Sequence, residues 1–135
     1  MNEVRFRLKG RFGGFRLDAE ASLPAVGLTA LVGPSGSGKT TLLRCLAGLT
    51  RAEGEVVVAG ETWQDSHRFL APHRRGVGYV FQEPSLLPHL TVRQNLAFAA
   101  RRAPPGDGTA FGEAVEMLGL VELLNRGAGS LSGQA

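Results

Sequence analysis

Gly33-Pro34-Ser35-Gly36-Ser37-Gly38-Lys39-Thr40, followed by Thr41, is a glycine-rich stretch that closes on a lysine and two hydroxyls. Glycines at this spacing let the backbone take positive φ values and approach an anion closely, so that successive N–H groups turn inward as a nest. The flanks have the pattern such a loop requires. Leu28-Thr29-Ala30-Leu31-Val32 is a short apolar run of buried-strand type, and Lys39 to Leu49 carries Leu42, Leu43, Leu46 and Leu49 at helical spacing. A strand, loop and helix in that order place a helix N-terminus, with its partial positive charge, behind the loop. The implied ligand is the phosphate chain of a nucleotide. Gly33, Pro34, Ser35, Gly36, Ser37 and Gly38 form the cradle, and Lys39 is expected to reach the β- and γ-phosphates. Thr40 is expected to place its hydroxyl on a magnesium ion bridging the same oxygens, and Thr41 to bond a phosphate from the first helical turn. ATP and magnesium are therefore the expected cofactors.

The 135 residues make one ordinary domain in length, and a hydrophobic content of 43% is enough for a core. The net charge of +3 comes from basic residues scattered between Arg5 and Arg126, without an aromatic-interleaved patch, so the basicity reads as a solvated surface rather than a nucleic-acid footprint. Cys45 is the single cysteine, which excludes an internal disulfide and a cysteine metal site; a small buried residue is its expected role. His67, His73 and His89 stand too far apart for a metal site legible in the sequence and are read as surface histidines. Arg74 and Arg75 are read as a solvated turn, and Trp63 as packing under the turn after Gly60. No apolar segment approaches bilayer-spanning length, and the N-terminus has no signal-peptide pattern, so a cytoplasmic location is expected unless something else holds the chain to a membrane.

Val4, Phe6 and Leu8 alternate with Arg5, Arg7 and Lys9; Phe15, Leu17, Ala19, Ala21 and Leu23 alternate with Arg16, Asp18, Glu20 and Ser22. Two half-buried, antiparallel strands joined at Gly10 to Gly14 follow from this period of two. Another short strand is expected over Glu55 to Ala59, ending at a Gly60 turn, and a buried one over Val77 to Phe81. After Gln82 the character changes. Pro84 and Pro88 bracket a loop, Thr91 can cap a helix reaching Arg102, and Ala103 to Gly108 reads as a linker into a helix over Thr109 to Gly119. A last short helix is expected over Val121 to Asn125.

Together, the phosphate loop, the run Pro72-His73-Arg74-Arg75-Gly76-Val77-Gly78-Tyr79-Val80-Phe81-Gln82-Glu83, the segment Leu86-Leu87-Pro88-His89-Leu90-Thr91-Val92-Arg93-Gln94-Asn95-Leu96, and Leu131-Ser132-Gly133-Gln134 make a specific set. In this order they resemble the ATP-binding subunits of ABC transporters, in the importer branch, and are most similar to its molybdate-importing members. The resemblance implies an α/β fold of the P-loop NTPase class: an ATP-binding core over residues 1–85 with an antiparallel β subdomain, then part of a helical subdomain over 86–135. It assigns Gln82 to the magnesium ion and the attacking water, and the region Glu83 to Leu90 to the membrane-spanning permease. Phe12 becomes the candidate for stacking on adenine, with Phe15 as its competitor. A second ATP-binding subunit and a peripheral place on the inner face of the cell membrane are also implied.

The chain departs from the family pattern in several places. The family's later strand ending in an aspartate and a glutamate, and its switch histidine, have no counterpart here, and the signature reads Ser132-Gly133-Gln134 where the family has a second glycine. A truncated subunit that does not hydrolyse ATP alone is the resulting expectation, with exposed apolar edges at Leu28 to Val32 and Val77 to Phe81. A non-catalytic nucleotide-binding fragment or pseudogene product, and a small phosphate-loop kinase, are the alternatives from other classes.

Overall fold

The computed structural model describes residues 2–102 and 111–131. It divides into a first unit, Met1–Tyr79, and a second, Val80–Ala135.

Alternation of apolar and charged residues builds the first unit. Strands β1 (Glu3–Phe12) and β2 (Phe15–Pro24) pair antiparallel around Gly13 and Gly14, with Phe12 opposite Phe15. Strand β3 (Glu53–Val58) pairs antiparallel with the other edge of β1, and β4 (Glu61–Gln64) continues the sheet in the order β2-β1-β3-β4. Ala59 and Gly60 connect β3 to β4 with φ of 49° and 85°, the positive values that a two-residue hairpin turn matching strand twist demands. On one face of the sheet, Arg5 meets Glu55, Arg7 meets Glu20 and Lys9 meets Asp18. The other face carries Phe6, Leu8, Leu17, Val56 and Trp63. These close into a core with Leu42 and Cys45 of helix α1 (Lys39–Leu46).

Several sequence expectations change here. Leu28 to Val32 and Val77 to Phe81 are not strands: Leu28 is 99% exposed, Val32 88% and Val80 95%. An apolar run becomes a buried strand only when it joins a sheet, and neither segment belongs to the four-stranded sheet among the described residues. Strand β4 had no sequence signal, and Trp63 lies within it, packed in the core rather than under a turn. Helix α1 stops at Leu46 rather than Leu49 because Gly48, at φ 77°, carries the backbone out of the helical region. His67, His73 and His89 are exposed and Cys45 is buried, as read from the sequence.

The second unit is helical. Helix α2 (Val92–Ala100) begins at a reciprocal cap: the Gln94 backbone N–H donates to Thr91 Oγ1 at 3.2 Å, and the Thr91 N–H donates to Gln94 Oε1 at 2.9 Å. Helix α3 (Phe111–Met117) and a 3₁₀ turn over Val121–Leu123 follow. Val92, Val115 and Leu124 form this unit's own small core. The expected linker, Ala103 to Gly108, the start of its helix at Thr109, and Ser132 to Gln134 lie outside the described residues. Among the described residues, no helix is long and apolar enough to cross a membrane.

Candidate nucleotide-binding site

The glycine-rich stretch forms a loop that leads directly into α1. Gly36 and Gly38 have φ of 77° and 88°, left-handed values that orient successive N–H groups toward a common point. Gly38 is also the N-cap of α1; it supplies no side-chain cap, and no acidic residue sits in the first turn. The N–H groups of that turn are thus left for a ligand, and the helix adds partial positive charge there. Residues 33–37 are exposed, as is Thr40, so an anion has open access.

Lys39 folds back over the loop. Its Nζ donates to the carbonyls of Gly33 and Pro34, both at 2.7 Å, and to Ser37 Oγ at 3.3 Å. The ammonium is held above the loop whose backbone it closes, where it can exchange carbonyl oxygens for phosphate oxygens. Ser35, Thr40 and Thr41 add hydroxyls in the same stretch of chain, so the residues present fit a polyphosphate, through N–H and O–H donors, and a magnesium ion, through a hydroxyl oxygen.

Phe15 and Phe12 are cross-strand partners at the hairpin tip, both packed against the core of the first unit. The Phe15 ring covers Gly38 so closely that a Cβ at Gly38 would overlap it. Phe12 lines a cleft of about 730 Å³ at the end of the sheet, together with Lys9, Arg11, Arg51, Gln64 and Phe69. The phosphate-loop residues are not part of that lining. Gln82 lies in an exposed bend of the second unit, and the loop and Gln82 are described in separate units.

Two polar residues without a sequence signal hold this framework. Arg75 is buried while Arg74 is exposed, so only Arg74 belongs to the solvated turn expected for both. Arg75 Nε donates to the Leu70 carbonyl at 2.8 Å, and Nη1 donates to those of Cys45 and Leu46 at 3.2 and 2.7 Å. Nothing local distinguishes the two arginines; the deciding partners lie about thirty residues earlier in the chain. In the second unit, buried Asn95 accepts from the Leu87 N–H at 2.8 Å and donates to the carbonyls of Leu87 and Thr91 at 3.2 and 3.0 Å. It thereby ties down one end of the Glu83 to Leu90 region.

Comparison with known proteins shows the family. Residues 18–134 match the ABC transporter family. The molybdenum import ATP-binding protein ModC of Rhodopseudomonas palustris (strain HaA2) is 53% identical over 134 residues, which cover 96% of this chain and 36% of that protein. The ModC protein of Pseudomonas aeruginosa is 51% identical over 137 residues, covering 98% of this chain and 38% of that protein, and that of Rhodobacter capsulatus is 52% identical over 131 residues, covering 96% and 36%. The chain therefore spans little more than a third of the length of these relatives. Its phosphate loop, antiparallel β unit and helical unit, with this match across nearly all of its residues, establish that the chain belongs to the ABC transporter family, with a P-loop fold.

Proposed function

We propose that this chain is the nucleotide-binding part of an ABC import ATPase, and that the solute imported is molybdate or a similar oxyanion. The observation that carries the nucleotide reading is the phosphate loop itself: Gly36 and Gly38 at positive φ, Lys39 poised over the loop, and the uncapped N-terminus of α1 behind it. Relatives about half identical in sequence and described as molybdenum import proteins support the solute.

In this reading the residues divide the work. The backbone of Gly33 to Gly38 and the first turn of α1 bind the phosphate chain, and Lys39 neutralises the β- and γ-phosphates. Thr40 would hold magnesium through its hydroxyl oxygen, where the ion would draw negative charge from the phosphates, and Thr41 would bond a phosphate. The family resemblance gives Gln82 the role of a residue that would ligate the magnesium ion and orient water. An aromatic at the hairpin tip, Phe12, stacks on adenine, with Phe15 packed on Gly38 beneath the loop. The Glu83 to Leu90 segment, braced by Asn95, meets the permease, and a second nucleotide-binding subunit completes the working assembly.

Competition binding tests this. A fluorescent ATP analogue bound to the chain should be displaced by pyrophosphate with magnesium, because the phosphate chain supplies most of the contacts. Displacement by adenosine but not by pyrophosphate would contradict the assignment.

A further inference from the structure

Arg75 is 3% exposed, and among the described residues its charge is met by carbonyl dipoles and ring faces rather than by a carboxylate. Nη1 donates to Cys45 and Leu46, the last two residues of α1, and Nε to Leu70. The guanidinium carbon lies 4.9 Å from the Phe69 ring centroid and 5.7 Å from that of Trp63. Gly48 packs flat against it: a Cβ there would stand 2.7 Å from Nε. The group thus fastens one end of α1 to the β4 side of the unit, and the other end of this short helix is Lys39. At about 1.5 Å per residue the helix is a rod of only two turns, so displacement at one end is carried to the other.

Resting on the phosphate-loop reading above, we propose that Arg75 is a positioning residue for nucleotide binding: by gripping the last carbonyls of α1 it sets where Gly38 to Thr41 present their donors to the phosphates. A cation at the C-terminus of a helix and an anion at its N-terminus are both favoured by the same dipole, so the two ends support each other. The planar fork is essential. Lysine keeps the charge but cannot reach several carbonyls from one rigid plane.

The test is ATP binding with magnesium to the full chain, beside Arg75→Met, Arg75→Lys and Lys39→Ala, with the ³¹P resonance of the bound β-phosphate recorded for each. Arg75→Met should weaken binding by about fivefold or more and shift that resonance, with a smaller change for Arg75→Lys. A purely structural role would lower the melting temperature while leaving affinity and resonance of the folded protein as they were; that result overturns the proposal. If Lys39→Ala binds ATP as tightly as the unaltered chain, the phosphate-loop reading falls and this proposal with it. If Lys39→Ala is impaired and the Arg75 variants are not, only this proposal falls. Should Arg75→Met fail to fold, the unaltered chain still decides: coupling is reciprocal, so ATP with magnesium should slow hydrogen exchange at the Arg75 Nε proton, and unchanged exchange overturns the proposal.

Discussion

Gly38 answers two constraints at once, a φ of 88° and the Phe15 ring lying where a Cβ would be. Gly38→Ala should therefore destabilise the first unit by about 1–3 kcal/mol and weaken ATP binding in parallel, since the strained residue is also the N-cap of α1. Thermal melts and an ATP titration of the variant check both; a variant as stable as the parent would mean the loop is looser than described. The glycines and Lys39 were legible in the sequence because their roles are local: backbone freedom and charge belong to the residues themselves. Arg75 was not legible. Its burial depends on the carbonyls of Cys45 and Leu46 and the rings of Trp63 and Phe69, none of which is a sequence neighbour.

At the scale of elements, β1 and β2 were readable because alternate residues face a core and a charged surface, and the two-residue glycine turn sets their register. Strand β4 was not, since Glu61-Thr62-Trp63-Gln64 has no apolar alternation and is a strand because β3 pairs with it. Leu28 to Val32 shows the converse: strongly apolar, yet irregular where no strand among the described residues pairs with it. Helix α2 was predicted from its Thr91 cap, but the clamp by Asn95 on Leu87 emerges only from the fold. Asn95→Ala should leave the Leu87 N–H and carbonyl without that partner and cost about 1–3 kcal/mol. It should also speed amide exchange at Leu87; protection unchanged at that amide would show that the segment is held by something else.

For the whole molecule, the apolar residues left in solvent dominate the expectation. Leu28, Val32 and Val80 are almost fully exposed, and Val26, Met117 and Leu118 largely so, which favours self-association of the isolated chain. Its thermal transition should be broad, with aggregation at micromolar concentration. Cys45 supplies an internal probe: it is fully buried, and burial raises its thiol pKa, so iodoacetamide should label it only as the first unit opens. A sharp melt of a monomer would contradict the broad transition, and labelling of Cys45 well before the melt would contradict its burial. Turnover is a separate matter from binding: the roles proposed for Lys39, Thr40 and Gln82 concern phosphate, magnesium and water, whereas the aspartate–glutamate pair expected from the family resemblance has no counterpart in these 135 residues. The chain alone should bind ATP without releasing phosphate. The central claim is that binding runs through the phosphate loop, and calorimetric titration of ATP with magnesium into the unaltered chain and Lys39→Ala tests it most directly. Loss of the charge-assisted contacts of Lys39 should cost about 1.5–3 kcal/mol, or roughly ten- to a hundredfold in affinity; equal affinities for the two proteins would contradict the account.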